Sequence, residues 1–196
     1  MNMDKTNKTN KTMQNSPDFI DLSEELRGLD RRKNEIGRYS VSIVHDIITG
    51  KLTPEKYLNH IPAPLKIIWN NFELGTAKHK IIERLLLDFI TELKKEITIT
   101  DGVILVGKFD LCKNGILYEL KTSNQLKFCL NDWNITQGKL YCSIFDMPKC
   151  IFYQPVFKGR KFGLKKFGEV KKDDEWFEFA KEKIIEFHKK VATLQI

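Results

Sequence analysis

The sequence contains no uninterrupted apolar run approaching the ~18 residues that a membrane-crossing helix needs. Its opening residues, MNMDKTNKTNKTMQNSP, lack the apolar core of a secretory signal. A soluble, intracellular protein with no membrane partner is therefore expected. There is no CxxC pair and no His at zinc-finger spacing, and Cys112, Cys129, Cys142 and Cys150 stand 17, 13 and 8 residues apart. That spacing excludes a zinc finger and points to reduced structural thiols rather than a disulfide framework. Excess acid is missing too: 33 Lys and Arg face 26 Asp and Glu, a formal net charge of +7. Such a balance favours polyanionic partners without choosing nucleic acid over lipid. What is present is enough apolar material for a core, 41% of 196 residues with 13 Phe, which suits one compact domain and excludes wholesale disorder.

Residues 1–16 repeat Thr, Asn and Lys and cannot repay their ordering entropy, so they are expected to form a disordered polar tail, with a single domain over 17–196. YSVSIVHDIITG, 39–50, reads as a short helix closed by Gly50, and Pro54 opens another. Residues 65–74 and 75–95 read as helices, the second with 3.6-residue periodicity. Extended segments are expected at 96–100, 102–111 and 115–122, with Asn114-Gly115 supplying the positive φ angles of a tight hairpin turn. A helix at 131–146, containing Gly138, precedes a strand at 150–157, in which Pro155 marks an end or an edge. Residues 158–172 read as a hairpin or loop, and Asp173 and Asp174 cap a final helix to about Leu194 that braces the domain. The order predicts a mixed α/β sandwich with a hairpin inside its sheet.

Alternation along GILYELKT puts Glu119 and Lys121 on one strand face, with Tyr118 and Leu120 on the other. The Asn114-Gly115 turn brings the preceding strand alongside, and Asp110 faces the same way if the register allows. Two carboxylates from neighbouring strands, with a main-chain carbonyl such as that of Leu120, are the hard oxygen ligands that Mg²⁺ takes, and Lys121 would orient water or bind phosphate. Taken alone, Glu119 and Lys121 are equally what an ordinary half-exposed strand carries on its surface. On the expected 75–95 helix, His79 and Glu83 fall inside the apolar arc and need partners, either a metal-bearing sheet edge or each other. Gln137 and Tyr141, also four apart, project from one side of their helix and suit a phosphate or base edge, or else an ordinary surface amide and core phenol.

In this order, Gly75-Thr76-x-x-His79-x-x-x-Glu83, Gly107-x-x-Asp110, Glu119-Leu120-Lys121-Thr122 and Gln137-x-x-x-Tyr141 resemble the motif series of the RecB-like exonucleases of the PD-(D/E)XK superfamily, near the CRISPR-associated single-domain nucleases. YSVSIVHDIITG is similar to the Ser-x-Ser helix that opens many of these domains, so the resemblance spans roughly 39–157. It implies a restriction-endonuclease-like core, a mixed central β-sheet flanked by helices in the order αβββαβ. It also implies that His79, Asp110, Glu119 and the carbonyl of Leu120 hold Mg²⁺ or Mn²⁺, with Lys121 catalytic, Gln137 and Tyr141 on the DNA path and Glu83 supporting. Where the family often has Pro or a small residue before its Asp, this chain has Phe109. Many relatives hold an iron-sulfur cluster with one Cys before the His helix and three near the C-terminus. This chain has no Cys before Cys112 or after Cys150, and no such cluster is expected.

The segment KGRKFGLKKFGEVKK, 158–172, carries Lys158, Arg160, Lys161, Lys165, Lys166, Lys171 and Lys172 against one Glu. Phe162 and Phe167 interleave with these cations, a composition that suits a flexible arm following a phosphate backbone and stacking on bases, or a solvated hairpin with its Phe side chains in the core. Together these features predict a metal-dependent DNA exonuclease acting at ends or on single strands. The competing expectations are a non-catalytic nucleic-acid-binding subunit and a structure-specific endonuclease of the same fold. A helicase, recombination or CRISPR adaptation protein is a candidate partner, and any such helicase is expected on another chain.

Overall fold

The computed structural model describes residues 35–59, 88–91, 93–122, 127–158 and 161–195. The expected helix at 65–74, His79, Glu83, Arg160 and the N-terminal tail lie outside them. Two mixed sheets flanked by helices form the fold. The first has the order β1-β4-β3, from β1 (Arg38–Ser40), β3 (Lys94–Thr100) and β4 (Val103–Lys108). The second has the order β2-β5-β6-β7-β8, from β2 (Ile90–Thr91), β5 (Leu111–Lys113), β6 (Ile116–Leu120), β7 (Lys149–Lys158) and β8 (Lys161–Lys171). The described helices are α1 (Val41–Ile48), α2 (Pro54–Leu58), α3 (Asp132–Phe145) and α4 (Asp174–Thr193). No helix among the described residues is long and apolar enough to cross a membrane.

Several expectations change. The segment 102–111 is not one strand, because the ladder breaks at Phe109 and Asp110, where β4 leaves the first sheet and β5 enters the second. Phe109 keeps the inward alternation of Val103, Leu105 and Gly107 and is buried, its ring 4.7 Å from that of Phe145 in a T-shaped contact, and Asp110 follows it on the way to β5. The strands thus fall into two mixed sheets within the expected mixed α/β fold. Tyr39 and Ser40 belong to β1, which pairs parallel with β4, so α1 starts only at Val41. Helical periodicity through residue 95 also fails, since Ile90–Thr91 and Lys94–Thr100 are strands: β-branched Ile90, Thr91, Ile97, Thr98, Ile99 and Thr100 favour the pleated surface.

Other local signals act as read. Asn114 (φ 51°) and Gly115 (φ 71°) make the two-residue turn joining β5 to β6, in the register Leu111↔Tyr118, Cys112↔Leu117 and Lys113↔Ile116. Pro54 opens α2 behind Thr53, whose hydroxyl accepts from Lys56 N (3.3 Å). Asn131 caps α3 through Asn134 N (2.9 Å), and Asp173 caps α4 through Trp176 N (3.0 Å). Pro155 lies beyond Tyr153, the last residue of β7 in register with β6, so its missing N–H interrupts no ladder there. Residues 161–171 of the basic segment form β8, paired antiparallel with β7 as the hairpin reading expects rather than as a flexible arm, with a register shift between Phe152 and Tyr153. Phe167 faces inward, 7% exposed and 6.0 Å from Phe152, and is therefore part of the core rather than a stacking surface.

The core lies between the sheets and α1, α3 and α4, with Tyr39, Val44, Leu105, Leu140, Phe152 and Ile184 fully enclosed. Ala180, Ile184, Phe187 and Val191 are the buried stripe of α4, the bracing face that its periodicity predicts. Gly138 allows α3 to approach the second sheet closely: a Cβ there would stand 2.9 Å from Val170 Cβ and 3.0 Å from Phe152 Cε2. Cys112, Cys142 and Cys150 are buried free thiols and Cys129 is exposed.

Candidate active site

The site is built on β6, the β4–β5 break and one face of α3. Because β6 alternates, Glu119 points towards α3 while Tyr118 and Leu120 face the opposite side, where they line an apolar cavity of about 300 Å³ with Phe89, Leu111, Tyr153 and Leu164. Asp110 arrives from the β4–β5 break and accepts a hydrogen bond at Oδ2 from Leu120 N (2.8 Å). The tight turn thus places Asp110 one step before the first ladder pair, Leu111↔Tyr118, and beside Glu119.

Glu119 is 4% exposed. Its Oε1 accepts from Lys121 Nζ (2.8 Å) and from Gln137 Nε2 (3.0 Å), whereas Oε2 is buried and has no hydrogen-bond partner. Burial first, and then the neighbouring charge of Asp110, push the Glu119 carboxyl up to about 8, against the opposing pull of Lys121 and Gln137. Without a further cation, this pocket favours the neutral acid.

Gln137 links the rest. Its Oε1 accepts from Lys121 Nζ (2.6 Å), and its Nε2 donates to Tyr141 Oη (3.1 Å) as well as to Glu119. Gln137 and Tyr141 are both 6% exposed, and they are turned towards Glu119 and Lys121. Burial, and secondarily the charge of Glu119, raise the Tyr141 phenol, which stays a neutral hydroxyl. The Lys121 ammonium is covered by Trp133, 4.8 Å from the ring centroid, and stands 5.7 Å from that of Phe152. Trp133 was not singled out from the sequence, yet it precedes Gln137 by four residues, as Gln137 precedes Tyr141, so one helix face carries all three.

The donor set suits a hard divalent cation: two carboxylates, one with an orphaned buried oxygen, and a deprotonation cost that a cation would remove. Among the described residues, Asp110 and Glu119 have no third His, Cys, Asp or Glu with them. His79 and Glu83 lie outside the described residues.

The basic cluster divides. Lys166 pairs with Glu169 (2.8 Å), and Lys172 with Asp146 and Asp174 (both 3.0 Å), so part of the local charge is already countered. Lys165 packs over Phe128, 3.8 Å from the ring centroid, and Lys171 is exposed. Lys158 and Lys161 enter as backbone of β7 and β8.

No protein-family profile matches the sequence, and no characterised protein sequence does. Solved structures do match. An alkaline exonuclease from Laribacter hongkongensis is 14% identical, with a TM-score of 0.53, over 81% of this chain and 89% of that one. Its complex with dAMP is 15% identical with the same TM-score, 0.53. A phage-related exonuclease from Haemophilus somnus 129PT is 13% identical, with a TM-score of 0.56, over 80% of this chain and 94% of that one. The structure of SSO0001 is 19% identical, with a TM-score of 0.53, over 84% of this chain and 83% of that one. At these identities the likeness establishes a shared nuclease-like fold.

Proposed function

We propose that the protein is a divalent-metal-dependent deoxyribonuclease that hydrolyses phosphodiester bonds at DNA ends or in single strands. The observation that carries this reading is the half-satisfied Glu119. One oxygen is fixed by Lys121 and Gln137, and the other is buried without a partner beside a second carboxylate. A purely structural acid would have both oxygens bonded, because an unpaired buried acceptor costs on the order of 1–3 kcal/mol. The fold shared with two exonucleases supports the same reading.

Asp110, Glu119 and the carbonyl of Leu120 would hold Mg²⁺ or Mn²⁺, with His79 as a further ligand supported by Glu83. Such an ion supplies Lewis-acid chemistry, acidifying a bound water and taking up negative charge on the phosphate. Lys121 presents its ammonium beside Glu119, where it orients the attacking water or holds the scissile phosphate. Gln137 and Tyr141 are positioning residues: Tyr141 takes one amide hydrogen of Gln137 while Glu119 takes the other, which fixes the Gln137 carbonyl towards Lys121.

The test is time-resolved digestion of end-labelled single- and double-stranded linear DNA and of a closed circle, with Mg²⁺, Mn²⁺ or EDTA. Wild type should shorten linear DNA progressively with metal, and Asp110→Ala and Lys121→Ala should not. Cutting of the closed circle would make the protein an endonuclease. DNA binding with every substrate intact would reduce it to a binding subunit.

A further inference from the structure

Phe128 is 76% exposed, the most open large apolar side chain among the described residues. Contacts on either side of it tie its backbone to the second sheet. Lys127 N, immediately before it, donates to Gln154 Oε1 (2.7 Å), and Gln154 is 1% exposed. Leu130, two residues after it, lies against Gly168 so closely that an added Cβ there would collide with the leucine side chain. Between these anchors the Phe128 ring is held out with Lys165 Nζ 3.8 Å from its centroid.

The ladder register fixes which side of the sheet this is. Gln154 and Lys165 are partners on β7 and β8, and Phe152, two residues before Gln154, is the partner of Glu119. Side chains two apart on a strand share a face, as do register partners on adjacent strands. Glu119, Phe152, Gln154 and Lys165 therefore look to one side, and Phe128 stands on that side through its contact with Lys165, next to Lys127, whose N–H bonds to Gln154.

An exposed aromatic ring with an ammonium against one face fits an unpaired base, with the cation within reach of the adjoining phosphate. The interior of a duplex offers it nothing comparable, since paired bases already stack on one another, and a blunt end exposes only the outer face of its terminal pair. We propose that Phe128, backed by Lys165, is a stacking platform for an unpaired base of a single DNA strand entering the site. This rests on the nuclease reading of Asp110, Glu119 and Lys121 and adds to it a preference for single-stranded ends over blunt duplex.

Fluorescence anisotropy of the full chain in EDTA, with a labelled 12-nucleotide single strand and a blunt 20-base-pair duplex, tests the platform without turnover. Stacking on one aromatic is worth roughly 5- to 140-fold in affinity. Phe128→Ala should weaken single-strand binding about 10-fold and shift duplex binding less than about 2-fold, Phe128→Trp should retain wild-type affinity, and Phe128→Leu should behave as Ala. Because stacking releases no counterions, the wild-type to Ala ratio should be the same at low and high salt. Equal single-strand affinity of wild type and Phe128→Ala, equal losses on both DNAs, full function of Phe128→Leu, or no single-strand binding by wild type would each overturn the proposal. If only the nuclease reading fails, metal-dependent cleavage is absent while the single-strand difference persists; if only the platform fails, cleavage persists and the difference is absent.

Discussion

Gln137 reaches only one of the two oxygens of Glu119: Nε2 lies 3.0 Å from Oε1, the atom that Lys121 also contacts, and Oε2 is left without a partner. An amide in that place does two things at once, donating to the acid and accepting from the lysine at 2.6 Å. Gln137→Ala removes both contacts and lets Lys121 and Glu119 relax against each other. The expected outcome is a 10- to 100-fold loss of metal affinity and of metal-dependent cleavage, the usual cost of removing a partner that orients a ligand, with secondary structure by circular dichroism unchanged.

The pH dependence of the metal-free protein follows from the same acid. The carboxyl of Glu119 is raised from its ordinary 4.5 to about 8 in the fold, chiefly by burial and then by Asp110. Between these values the folded state holds a proton that the unfolded chain releases, so this group's contribution is fully present below about pH 4.5 and is lost as pH rises towards 8. In EDTA, thermal melts of wild type should therefore fall across pH 5–8 relative to Glu119→Gln, whose amide does not titrate. Adding Mn²⁺ should diminish the fall for wild type and leave the variant unaffected. Parallel profiles for the two proteins in EDTA would refute the assignment.

Much of this site was legible because short-range geometry fixes it. Asn114-Gly115 dictates a two-residue turn, the turn dictates register, and register with strand alternation brings Asp110 to Glu119 and turns Glu119 towards α3. The four-residue spacing of Gln137 and Tyr141 likewise needs only helix geometry. What escaped depends on tertiary competition. Phe109 continues the inward alternation of Val103 and Leu105, so nothing in the local pattern announces that the chain changes sheets beside it, where its ring meets that of Phe145, 36 residues away in the sequence. The inward turn of Phe167 depends on Phe152 across the sheet, and the exposure of Phe128 depends on anchors at Gln154 and Gly168. Local pattern cannot tell a phenylalanine that fills a core from one that is held out of it.

Gly138 is a case where the local preference and the packing disagree. Glycine within α3 is worse for the helix than alanine by about 1 kcal/mol. Yet a methyl group at that position would meet Val170 Cβ at 2.9 Å and Phe152 Cε2 at 3.0 Å, both in well-packed surroundings. Overpacking of this kind costs about 1–3 kcal/mol, so it offsets or exceeds the gain in propensity. Gly138→Ala should unfold at lower urea concentration than wild type. Since Gln137 precedes it directly, cleavage should fall further than the small change in folded fraction explains.

Charge alone does not rank the lysines of the second sheet, because their partners differ. Lys172 sits 3.0 Å from both Asp146 and Asp174, the last two at helix ends that it bridges, while Lys171 beside it is exposed and β8 carries it to the rim. A cation already countered by two carboxylates releases fewer ions when a phosphate arrives than one that faces solvent. Lys171→Ala should lower the slope of log affinity against log salt by about 1, the value for one phosphate contact, and weaken single- and double-stranded DNA alike. Lys172→Ala should move the slope by less than half as much and should instead lower the melting temperature slightly, since it frees Asp146 and Asp174. Anisotropy titrations at three salt concentrations distinguish the two variants, and a larger slope change for Lys172→Ala than for Lys171→Ala would show that the ion pairs open to receive DNA.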